Sequence, residues 1–198
     1  MAAMKLDSEQ RKEQIARAAL GLISRGGMRA LSMAAVARQL GLVPSAIYRH
    51  FRNKQEMLDA VFESIHAALR HNVELACASS PEPLERLQFL LRNNLAMVRD
   101  FGAIPRVILS EGVWGSQSDR KNKVYGIIRG YLEAVEAIVR DGQQQGRIKE
   151  NIDSHTIAVM FWGLLPPAGI LWFVSDGRFD VTRHVEQAWK MFSESIRR

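Results

Sequence analysis

LSMAAVARQLGLVPSAIYRHFRNKQEML, residues 31–58, decides how the rest of the chain is organised. Ser32 is placed to cap a helix, with Leu31 before the cap and Val36 four positions after it forming a hydrophobic staple. That helix stops after about eight residues at Gly41, a position suited to positive φ. Pro44 then opens a second short helix, where its missing N–H has no intrahelical partner to lose. This helix reaches about His50, and Asn53 with Glu56 three residues later marks the cap of a longer one.

Two short helices joined by a glycine turn, following an amphipathic helix, make a helix-turn-helix. Val36, Leu40 and Ile47 supply its internal core, Ala37 allows close approach, and Leu42 plugs the turn. Val43, Ser45, Ala46 and Arg49 then face outward, flanked by Tyr48 and His50. Polar tips such as these need partners once buried, so a core segment is not expected to end this way. A DNA major groove admits one helix, and its phosphate walls accept hydrogen bonds from Tyr, Ser and Lys. The plain alternative is a capped helical hairpin with a solvated face.

Charge separates the two. Residues 1–55 hold ten Lys/Arg against three acids, a net charge of +7, whereas the other 143 residues carry −1 of the total +6. A basic head on a near-neutral body is the electrostatic footprint of a nucleic-acid reader.

Residues 31–58 also resemble the DNA-binding region of the tetracycline-repressor (TetR) family of bacterial transcription regulators. The match lies in the small-residue helix, the glycine turn, and a recognition helix ending Tyr48-x-His50-Phe51 with Lys54 opening the next helix. The rest of the chain matches in architecture and not by motif. The resemblance implies a dimeric repressor of a double-stranded DNA operator, released by a small-molecule effector bound in the carboxy-terminal body. It makes Tyr48 and Lys54 phosphate contacts, lets His50 position or contact the backbone, and leaves Phe51 in the core. Ser45, Ala46 and Arg49 become groove-facing, with Arg49 able to grip guanine bidentately or to contact phosphate. Ser32 and Pro44 complete the DNA-binding set. The chain departs from the family at Val43, where Ser or Thr is frequent, and at Pro166-Pro167, inside the first of two expected dimerisation helices.

Outward from this segment the periodicity is helical throughout. Ile15, Ala18, Ala19, Leu22 and Ile23 define a first helix from about Ser8 to Arg25, stopped by Gly26-Gly27. The helix from Asn53 runs to about Cys77 and links head to body, giving a DNA-binding domain over 1–53 and a ligand-binding and dimerisation domain over 54–198. Leu84, Leu87, Leu91 and Leu95 stripe a fifth helix; a short helix is expected over 101–115 and a long one over 117–145. Residues 156–174 contain no charge, yet Pro166-Pro167 interrupts them, so the expectation is a buried, broken helix and not a membrane span. Val181, Val185, Ala188, Trp189, Phe192 and Ile196 stripe the last helix. The expected fold is all-α with about nine helices.

Cys77 is the only cysteine and no apolar leader opens the chain, which fits a reducing cytoplasm. His66 and His71 are five apart, off one helix face, so no metal site is expected. No cofactor motif, nucleophile elbow or carboxylate pair stands out, and an enzyme is not expected. A membrane-associated interaction protein built on 156–174, or a helical enzyme, is the alternative function. In the body, Trp114, Tyr125, Phe161, Trp162 and Trp172 are candidates for an effector pocket, with a hydrophobic effector preferred; each is equally suited to core or interface. Val181, Val185, Trp189 and Phe192 are the candidate dimer interface. Pro166-Pro167 either shapes the pocket or bends a dimer helix.

Overall fold

A computed structural model describes residues 7–101 and 118–198. The described residues form nine helices and one isolated antiparallel bridge, Ile148 to Arg197. In chain order they are α1 (Ser8–Ala30), α2 (Met33–Gln39), α3 (Pro44–Tyr48), α4 (Lys54–Ser79), α5 (Pro83–Phe101), α6 (Ser118–Gln144), α7 (Ser154–Trp162), α8 (Pro166–Val174) and α9 (Val181–Ile196). The short helix expected after Phe101, Trp114 included, lies outside the described residues.

The helix starts obey local chemistry. Asp7 and Gln10 form a reciprocal capping box on α1. Ser32, Asn53, Asp153 and Asp180 each accept a backbone N–H in the first turn of α2, α4, α7 and α9. Glu56 differs slightly from expectation, since its carboxylate reaches back to the N–H of Arg52, one residue ahead of the cap. The glycine pair in α1 interrupts the helix without ending it. Gly27 takes φ 68°, in the left-handed region, and one more turn follows to Ala30.

Two hydrophobic clusters hold these helices. The head cluster joins Ile15, Ala19, Leu20 and Ile23 of α1 to Val36, Ile47, Phe51 and the first three turns of α4, and it also takes in Val124 and Ile127 of α6. The body cluster joins Leu87 and Leu91 of α5 to Val135 and Val139 of α6, Ile157 and Phe161 of α7, and Val185, Phe192 and Ile196 of α9. Both α4 and α6 therefore run through both cores, and Leu69 packs against each.

Residues 156–174 break as the sequence suggests, at Gly163–Leu165. Pro166 and Pro167 sit in the first turn of α8, where an absent N–H costs no hydrogen bond. The stretch is buried along one side only: Ile157, Ala158, Phe161, Ala168 and Gly169 are inside, whereas Met160, Leu171 and Val174 are exposed.

Candidate nucleic-acid interface

The recognition segment rests on a fully determined turn. Leu40 ends α2, Gly41 takes φ 66°, the N–H of Gly41 donates to the carbonyl of Arg38 (3.2 Å), and that of Leu42 donates to Ala37 (2.8 Å). This is a Schellman closure, with Leu42 folded against the head core as the accompanying apolar contact. No atom lies within 4 Å of where a Cβ on Gly41 would stand, so the requirement for glycine is conformational and not one of space.

From that turn α3 projects with a strict division of faces. Ile47 and Phe51 are buried and anchor it, the N–H groups of His50 and Phe51 both donating to the Ile47 carbonyl. Pro44, Ser45, Tyr48 and Arg49 are exposed, with Ala46 and His50 half-buried beside them. Val43 is 62% exposed and provides no side-chain cap, so Pro44 alone sets the entry angle of α3. Ser32 is exposed at the neighbouring helix start, its oxygen accepting the Ala35 N–H, which leaves its O–H to donate elsewhere.

Lys54 is the exception to a purely outward set. Its ammonium donates to the Met28 carbonyl at 2.8 Å and is half-buried, tying the start of α4 to the last turn of α1. An ammonium has three hydrogens, so this bond fixes the side chain without exhausting it.

The body places its sequence-selected residues differently. Phe161 is fully buried, its ring edge-on to Trp189 and tilted against Phe192, so it is core and not pocket wall. Tyr125 is on the surface of α6, 66% exposed, while Trp162 and Trp172 pack partly buried against the body cluster. The residues expected at a dimer interface, Val181, Val185, Trp189 and Phe192, lie along α9. Val181, Val185 and Phe192 are buried within their own chain, and Trp189 packs beside them. The apolar stripe of α9 is real, and its own body covers it. Exposed on these helices are Val159 and Met160 of α7, Ile170, Leu171 and Val174 of α8 and, at 74%, Met191 of α9.

Three polar features were not singled out in the sequence. Asn72 of α4 donates to Asn94 of α5 (2.8 Å), and Asn94 donates to the Tyr131 hydroxyl of α6 (2.8 Å). Asn94 and Tyr131 are buried, and burial pushes the Tyr131 phenol well above its ordinary pKa, so it stays neutral. The signal was present: Asn94 falls on the Leu87–Leu91 face of α5, where a leucine would continue the stripe. The second feature is Arg120, buried at the start of α6, which donates to Gln55 of α4 at 2.6 Å. The third is Glu136 of α6. The Ser154 hydroxyl, and then Arg140 and His155, hold its carboxyl below the usual range against the opposing effect of burial.

The head sequence matches the profile of bacterial regulatory proteins of the tetR family over residues 15–61, and residues 71–195 match the profile described as YsiA-like protein, C-terminal region. The chain belongs to the TetR family. Among relatives of this TetR-family chain, the fatty acid metabolism regulator protein of Bacillus subtilis is 23% identical, over 85% of this chain and 86% of its own length. A TetR-family transcriptional regulator from Agrobacterium tumefaciens superposes with a TM-score of 0.80 at 18% identity, covering 97% of this chain and all of the other. The FadR regulator of Bacillus subtilis, solved in complex with stearoyl-CoA, superposes at 0.76 with 21% identity, covering 91% and 96%. The chain is thus a DNA-binding transcription regulator with an effector-type carboxy-terminal region.

Proposed function

We propose that this regulator is a homodimeric, effector-released repressor that reads a roughly two-fold operator through α3, and that its effector carries a long apolar chain. The observation that carries the DNA reading is the exposed set Ser45, Tyr48 and Arg49, held rigid by buried Ile47 and Phe51 on a head of net charge +7. In this reading Ser32, Tyr48, His50 and Lys54 hold phosphates, Pro44 and Ala46 let α3 approach the groove, and Arg49 reads a base or grips the wall. Family membership and the absence of a catalytic motif support a non-enzymatic role, exercised in the compartment that holds the chromosome.

Dimerisation is assigned to the outward faces of α7, α8 and α9, which carry the exposed apolar side chains Met160, Leu171, Val174 and Met191. Such a dimer presents two α3 helices to half-sites about 34–36 Å apart, or a multiple of that spacing. The fatty-acid regulator among the relatives, and the stearoyl-CoA complex of a structural neighbour, support an acyl-CoA class of effector.

The test begins with operator selection from random duplexes. Lys54→Ala is expected to weaken binding equally on all sequences and to lower the salt slope by about one unit. Arg49→Ala is expected to relax one operator position, at about 1–3 kcal/mol. Met160→Glu is expected to leave a folded monomer in sedimentation, and palmitoyl-CoA to release the wild type from its operator. Binding of the selected operator by Lys54→Ala and Arg49→Ala that matches the wild type, or a folded monomeric wild type at micromolar concentration, would overturn this reading.

A further inference from the structure

We propose that Arg120 is a positioning residue for the DNA-binding head, its guanidinium fixing the first turns of α4, and hence α3, at the angle the operator requires. This rests on the operator-binding reading above and adds to it the residue through which the body holds the head.

Arg120 opens α6, yet its side chain is only 6% exposed, which is unusual for a charged group near a helix start. It is drawn in towards α4. The guanidinium donates to the side-chain amide oxygen (Oε1) of Gln55 at 2.6 Å, and its Nε lies 3.8 Å from the Asp59 carboxylate. One turn further along α6, Lys123 pairs with Glu63 at 2.9 Å. Gln55, Asp59 and Glu63 are spaced i, i+4, i+8, a single line down the first three turns of α4. Beside this polar line, Val124 and Ile127 enter the head cluster itself.

The position of this grip gives it a function. Gln55 directly follows Lys54, which is tied to α1 through Met28, and Phe51 three residues earlier anchors α3. A rotation of α4 about Gln55 therefore moves α1 and α3 together. At its other end α6 enters the body cluster, where Tyr131 accepts from Asn94 of α5. A change of packing between α5 and α6 is carried along one rigid helix to Arg120. An effector produces release only by binding the two arrangements with different affinity, and the Arg120 grip is the contact that distinguishes them at the head.

The experiment uses the full chain with three substitutions: Arg120→Met, which keeps length and burial without the charge; Arg120→Lys; and Gln55→Ala, at an exposed position. Operator affinity is measured against salt, thermal unfolding alongside, and the distance between the two heads by pulsed electron resonance from labels at Ala34→Cys in a Cys77→Ser background. Arg120→Met and Gln55→Ala are expected to weaken operator binding about tenfold with the wild-type salt slope, to broaden the inter-head distance distribution, and to be non-additive when combined. Arg120→Lys is expected to recover part of the affinity. A lowered melting temperature with unchanged operator affinity and a narrow distance distribution would make Arg120 merely structural. A salt slope reduced by about one unit would make it a phosphate contact. Either result overturns the proposal, and should Arg120→Met fail to fold, Gln55→Ala decides alone. A wild type that binds no duplex would instead overturn the operator reading, while the distance measurement needs no DNA.

Discussion

In the head, the surface that α3 turns outward is Ser45, Tyr48 and Arg49 above a base of Ile47 and Phe51; in the body, the surface that α7, α8 and α9 turn outward is Met160, Leu171, Val174 and Met191. In the proposed reading both surfaces take a partner, and their chemistry suits different ones. A polar, basic face keeps its hydration until it meets phosphate, and it exchanges partners with salt and sequence. An apolar face is unfavourable in water at all times, so its partner must be constant, as a second copy of the same chain is. In that reading the difference also separates signal from scaffold, since the head releases its partner and the proposed dimer face does not.

The largest effect that would test this division lies in the body core. Phe161→Ala removes a fully buried ring that packs against Trp189 and Phe192, and is expected to cost about 3–5 kcal/mol in urea unfolding. Because α4 and α6 run through both clusters, the loss is expected to appear in one cooperative transition; a head transition left at the wild-type midpoint would show the two cores to be independent.

A smaller effect sharpens the head side. Ser32→Ala removes the cap of α2 and is expected to cost about 1 kcal/mol of stability. Operator affinity is expected to fall as well, because the same hydroxyl is free to donate to phosphate. Circular dichroism melts and operator titrations separate the two, and an unchanged titration would confine Ser32 to capping.

The smallest effect concerns the contact between α6 and α7. Glu136 has a native pKa lowered chiefly by the Ser154 hydroxyl, so its contribution is present above the ordinary glutamate value of about 4.3 and is lost as pH falls through the lowered native value. Glu136→Gln is expected to lower stability slightly near pH 7, with the gap closing on acidification. A gap that stays constant with pH would assign the effect to geometry and not to charge.

Much of this protein was legible from local rules. The caps at Ser32, Asn53 and Asp153, the glycine turn at Gly41 and the proline start at Pro44 depend on atoms within four residues of each other, and the sequence displays all of them. Ile47 could be assigned to the core, and Arg49 to the surface, because a helix of known phase leaves little freedom, whereas the core place of Phe51 came from the family resemblance. The body resisted the same treatment. The α9 stripe was visible, yet periodicity reports that a face is apolar and not what covers it, so Val185 and Phe192 passed for an interface until the fold placed them against Phe161.

Sequence alone therefore determined the capped helix starts, the Gly41 turn, the basic head and the residues that α3 presents, since short-range sterics, hydrogen bonding and charge fix these. Tertiary structure decided which apolar faces meet, which are left outward at Met160 and Met191, and that Asn94 reaches Tyr131 and Arg120 reaches Gln55. Those pairings join residues 37 and 65 positions apart, and they depend on how whole helices pack, a choice no local rule makes.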